Sequence, residues 1–144
     1  MSIKHATFTL ERNYPASPAR VFAAWSDQAA KSRWLAGPKS ELELDFRVGG
    51  TETIRGRHGD GPLLTFASTF DDIVPEQRIV YTSTMTADKT LTTVSITTVE
   101  FVPEGDGTKL VLAQQGTYLD GHEEPSWREQ GTSDQLDTLG KEFS

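Results

Sequence analysis

The sequence predicts an α+β fold built on one antiparallel sheet of seven strands. Three observations carry that prediction. Apolar and polar residues alternate in several separate stretches with the period of two that marks a half-buried strand. Short polar turns link those stretches, so that they connect as an antiparallel meander. Helical spacing is confined to two places, directly after the first strand and at the C-terminal end.

Residues 6–14, ATFTLERNY, put Phe8 and Leu10 on one face and Thr7, Thr9 and Glu11 on the other, which gives the first strand. Ser17-Pro18 then supplies an N-cap and a proline at the first helical position, and Val21, Phe22 and Trp25 follow at helical spacing. Ser26-Asp27 offers a second cap-like break, after which QAAKSRWL forms two more turns until Gly37-Pro38 stops them. The stretch 18–38 therefore reads as two short helices at an angle. ELELDFRV alternates Leu42, Leu44, Phe46 and Val48 onto one face, and Gly49-Gly50 permits a tight reversal into TETIRGRH.

His58 to Pro62 is a turn cluster, LLTFASTFDDIV is a strand ending near Pro75, and QRIVYTSTM alternates Ile79, Tyr81, Ser83 and Met85. In LTTVSITTVEFV, Val94 and Ile96 share one phase while Val99 and Phe101 share the other, which predicts a β-bulge or sharp bend near Thr97-Thr98. Glu104 to Gly107 closes a hairpin into TKLVLAQQ. From Glu123 or Pro125 to Phe143 the spacing turns helical, with Leu136, Leu139, Gly140 and Phe143 on one face and Thr132 one turn before Leu136. Trp127 points the opposite way, toward an end of the helix or the surface.

At 144 residues the chain fits a single domain, 1–144, able to bury a core without staples. Cysteine is absent, which removes disulfides, thiol nucleophiles and cysteine-based zinc sites and suits a reducing cytoplasm. The net charge of −7 and a pI near 4.9 oppose attraction to nucleic acid or anionic lipid. Nowhere do 18 apolar residues run together, and no apolar signal-peptide core follows Met1, so neither a membrane span nor classical export is expected.

The order strand, two short helices, six strands, long helix resembles the helix-grip superfamily of START and Bet v 1-like (SRPBCC) domains. Within it the chain is similar to the branch named after the C-terminal domain of the activator of Hsp90 ATPase. The resemblance covers essentially all of the chain. It is carried by SPARVFAAWSD with RWL after it, ELDFRVGGTE, DIVPEQRIVYT, VEFVPEGDGTKLVL, and QGTYLDG followed by REQGTSDQLDTLG. It implies a curved sheet, a long C-terminal helix across the concave face, and a hollow between the two. Val21, Phe22 and Trp25 become core, and Trp34 edges the hollow.

Glu52 is the candidate catalytic residue. Ile54 must face the interior if its strand is to bury anything, and a period of two turns Glu52 the same way. Two readings then stand: a strand-end carboxylate reaching solvent, or a cavity carboxylate able to orient an amine or act as a general base. The resemblance sets Tyr81, Met85, Gln114, Tyr118 and Thr132 around the hollow as polar or adaptable lining. Phe66 and Leu136 complete the ligand-binding set with Trp34 and Glu52. Gly131 and Gly140 each cost about 1 kcal/mol relative to alanine in a helix, which calls for a close approach to the sheet or for space left to a ligand. Arg128 is read as a surface residue paired with Glu124 one turn earlier.

His5, His58 and His122 lack ligand spacing, and Asp120, His122, Glu123 and Glu124 read as a solvated loop and helix start, so no metal and no cofactor are expected. No Gly-x-Ser-x-Gly elbow is present, and Gly49-Gly50 precedes a strand, which excludes a phosphate loop.

Three functions follow. The first is binding of a small hydrophobic or aromatic ligand as carrier or sensor. The second is an enzyme of the polyketide cyclase or dehydratase kind using Glu52, with Tyr81 or Gln114 holding an enolate or carbonyl. The third is a protein-interaction role like that of the Hsp90 activators, with homodimerisation compatible with all three.

Overall fold

The computed structural model describes residues 2–144. Its strands are β1 (Ile3–Tyr14), β2 (Ser40–Leu44), β3 (Thr51–Arg57), β4 (Leu63–Val74), β5 (Arg78–Ala87), β6 (Thr90–Glu104) and β7 (Gly107–Leu119). They form one antiparallel sheet in the order β1-β7-β6-β5-β4-β3-β2. Between β1 and β2 lie α1 (Pro18–Ser26) and α2 (Gln28–Lys31), the latter running on into a π-helical turn, Ser32–Ala36. The long helix α3 (Pro125–Gly140) crosses the concave face and ends in a 3-10 turn, Lys141–Phe143. This is the helix-grip architecture.

The helix boundaries follow from capping chemistry. The Ser17 hydroxyl accepts from the Arg20 N–H at the start of α1, with Pro18 supplying a preset φ. Asp27 then accepts from the Ala30 N–H, ending one helix and starting the next. That break turns α2 so that Trp34 meets Trp25 edge-on at 4.7 Å between ring centroids, and its indole N–H donates to the Ala24 carbonyl at 2.8 Å. An aromatic chain continues from Phe22 through Phe46 to Phe70 and Tyr81. It fills the end of the fold braced by the short helices.

α3 is fixed to the sheet by polar bonds at β1. The Tyr14 hydroxyl donates to the Leu136 carbonyl at 2.7 Å, and Arg12 donates to Asp137 and to the Ser133 hydroxyl. Away from β1 a cavity lies between the helix and the sheet, and Arg128 reaches across it to Gln114 of β7.

Three sequence expectations are corrected. The first strand begins at Ile3, because β1 pairs with β7 from Ile3 opposite Leu119 onward. β2 stops at Leu44, so Phe46 reaches the core from a loop and Val48 is left 58 % exposed. The register of β6 runs unbroken through Thr97 and Thr98 against both neighbours. The breaks in the sheet lie instead where Asp71 is inserted in β4 against β5 and where Thr92 is inserted in β6 against β5. The physical reason is an inversion of the usual pattern: Val94 and Ile96 stand on the exposed outer face, while Thr93, Ser95 and Thr97 point inward with Val99 and Phe101. No helix among the described residues is long and apolar enough to cross a membrane.

Candidate functional site

Between the sheet and α3 lies a cavity of about 310 Å3. Trp25 and Trp34 of the short helices, Ile54, Phe66, Met85 and Leu112 of the sheet, and Leu136 of α3 make its apolar wall. Glu52, Tyr81, Gln114, Glu123, Arg128 and Thr132 supply its polar groups. Of the nine residues assigned to ligand binding from the sequence, eight therefore line one space. Tyr118 does not: its ring folds back over Gly116 on its own strand, where an added Cβ would come within 2.8 Å of the Tyr118 Cε1. Glycine at 116 removes the side chain that would hold that ring upright.

Glu52 faces inward and is only 4 % exposed, so the reading in which it reaches solvent is set aside. Its Oε2 receives the ammonium of Lys31 at 2.5 Å. Lys31 has no exposed surface. Burial pushes its pKa below the ordinary lysine value, and the adjacent Glu52 opposes that shift. The ammonium also lies 5.2 Å from the Trp25 ring and 5.4 Å from that of Phe70, where the aromatic faces favour a cation. Beside this pair, Tyr81 has its pKa raised, first by burial and then by the negative charge of Glu52. Its hydroxyl stays protonated and remains a donor.

A second ion pair stands on the α3 side. Arg128, 8 % exposed, grips Glu123 with two bonds, Nε to Oε2 at 2.8 Å and Nη2 to Oε1 at 2.7 Å. Its remaining nitrogen, Nη1, donates to the Gln114 side-chain carbonyl at 3.1 Å, and the Gln114 amide donates to the Thr97 hydroxyl at 2.8 Å. The guanidinium lies 5.2 Å from the Phe66 ring, so this one side chain spans from α3 to the far strands. The expected Arg128–Glu124 surface pair is thereby corrected. The carboxylate of Glu123 is held by Arg128 and by the Thr93 hydroxyl at 2.6 Å, while Glu124 turns outward to Lys4.

Trp25, Lys31, Glu123 and Arg128 were not among the sequence-derived site residues. Two of them carried a signal. Arg128 precedes Thr132 by four residues and Leu136 by eight, which puts all three on one helical face. Lys31 precedes Trp34 by three, one turn away on the same side. Trp25 has a further property: among the described residues its buried indole N–H is the one buried side-chain polar atom with no hydrogen-bond partner. Gly131 lines the cavity, and a Cβ added there would meet nothing within 4 Å. Space, not close packing, accompanies that glycine.

Residues 15–144 match the family model described as Activator of Hsp90 ATPase homolog 1-like protein. A crystal structure of a Rhizobium loti protein is similar over 99 % of this chain and 99 % of that one, with 45 % identity and a TM-score of 0.92. A Rhizobium leguminosarum protein shares 41 % identity over 97 % of this chain and 95 % of its own, with a TM-score of 0.93. A Chromobacterium violaceum protein shares 28 % identity over 95 % and 96 %, with a TM-score of 0.80. No curated protein matches the chain.

Proposed function

This chain belongs to the Activator of Hsp90 ATPase homolog 1-like family, and from that premise we propose that it binds a small apolar or aromatic molecule between the sheet and α3, as carrier or sensor. The cavity carries the reading. Its volume of about 310 Å3 falls within the range of small-molecule sites, roughly 300–1,000 Å3, and its wall is chiefly aromatic and aliphatic. Glu52 and Arg128 each have an opposite charge in contact, so an apolar body can enter without stranding either one.

Native mass spectrometry of gently purified protein, set against the denatured mass, tests this reading. The expected result is an adduct with the mass of a small organic molecule. A clean apoprotein that also binds nothing in a broad library of apolar and aromatic compounds would sink it.

One observation favours a second reading, a cyclase- or dehydratase-like enzyme. Lys31 engages only Oε2 of Glu52, which leaves the other carboxylate oxygen for a substrate proton, with the Tyr81 hydroxyl available to a developing oxyanion. Unchanged turnover of an identified substrate by Glu52→Gln would eliminate that mechanism.

A further inference from the structure

The two ion pairs of the cavity differ in what holds them. Lys31 and Glu52 both project from regular elements, α2 and β3, and both are buried. Neither has a route out. Arg128 also stands on a helix, but its partner Glu123 lies in the connection between β7 and α3, which turns through left-handed backbone at Asp120 (φ 55°) and Gly121 (φ 71°). The Glu123 side chain keeps 16 % of its surface exposed. It can rotate toward solvent while Arg128 stays in place, still bonded to Gln114.

If Glu123 leaves, the cavity wall holds a buried guanidinium with its Nε–Nη2 edge free. That edge binds a planar anion with two oxygens, the geometry Glu123 itself displays. Because Lys31 already neutralises Glu52, the opposite end of the cavity presents no unmatched negative charge to such an anion. Phe66, Ile54, Trp34 and Leu136 supply an apolar wall for the rest of the molecule. We propose that Arg128 recognises the carboxylate of an aromatic or alicyclic carboxylic acid, and that Glu123 occupies that carboxylate's place until the ligand displaces it. This rests on the cavity being a small-molecule site and narrows its ligand class.

The probes are 2-naphthoate and its neutral counterpart 2-naphthamide, titrated calorimetrically into the wild type, Glu123→Gln and Arg128→Gln. Removing the internal competitor's charge is expected to tighten naphthoate by about tenfold, the equivalent of one charge-assisted hydrogen bond, and to leave naphthamide unchanged. Arg128→Gln is expected to abolish the preference for naphthoate. Should Glu123→Gln fail to fold, Thr93→Val removes only the hydroxyl tether of Glu123 and is expected to shift naphthoate in the same direction by less. If naphthamide binds but naphthoate is no tighter in Glu123→Gln or Thr93→Val, carboxylate recognition is overturned while the cavity reading stands. If neither probe binds any of these proteins, carboxylate recognition is overturned, and the cavity reading falls with it only where the broad library of apolar and aromatic compounds also fails to bind.

Discussion

A lysine with no exposed surface is expensive to keep charged, and Lys31 is tolerated only because Glu52 and two aromatic faces surround its ammonium. The expected consequence is a strong asymmetry between single and double substitutions. Lys31→Met alone, or Glu52→Leu alone, should cost about 3–5 kcal/mol in urea unfolding by leaving one uncompensated buried charge. The double variant should recover most of that loss, because an apolar pair of similar volume has nothing to desolvate. Additive losses in the double variant would mean that the pair does not act as a unit. Half of this arrangement was legible in the sequence. Glu52 follows from the phase of Ile54, whereas Lys31 sits in a segment whose helix gives way to a π-helical turn, and a tabulated preference for exposed lysine points the wrong way.

At the scale of the element, α3 shows how one helix can serve two purposes. Its Arg128, Thr132, Leu136 and Leu139 face inward, and its N-terminal half stands over the cavity while Tyr14 clasps its C-terminal half. Gly131, in the half over the cavity, meets nothing that a methyl group would strike. Gly131→Ala should therefore raise stability by about 1 kcal/mol through helix propensity alone, read as a higher urea midpoint with an unchanged slope. A loss of stability would show that the backbone there needs glycine for another reason. β6 teaches the opposite lesson about legibility. Its apolar residues Val94 and Ile96 face outward, and the inward threonines are stabilised by partners on other elements, Gln114 for Thr97 and Glu123 for Thr93. Periodicity finds the strand but cannot say which face is buried when the cavity side is the polar one.

For the molecule as a whole, strand order, helix positions and family were readable because turn chemistry and caps are local signals. The ion pairs were not: Lys31 and Glu52 lie 21 residues apart on different elements, and Glu123 and Arg128, five apart across the junction of loop and helix, miss the i, i+3 and i, i+4 spacing of helical pairs. Alkaline pH probes the assembled interior. The protein's three tyrosines, Tyr14, Tyr81 and Tyr118, all have pKa values raised above the ordinary 10.0, chiefly by burial. Below pH 10 both folded and unfolded chains hold these protons; above it the unfolded chain gives them up while the native one does not, so stability falls. Lys31 acts with the opposite sign, its native pKa lying below 10.5, but its effect is exerted below that pH and the tyrosines' above pH 10. Tyrosinate absorbance should accordingly rise late and together with loss of native structure; tyrosines ionising near pH 10 in the intact fold would contradict this. The pairing of β1 with β7, Ile3 opposite Leu119, also governs how the fold is reached. β1 stands at the edge of the sheet with β7 as its neighbour, so the edge that anchors α3 closes only after all the intervening strands have been made. Sequence-distant pairing of this kind belongs to slow folders, with times of about milliseconds to seconds.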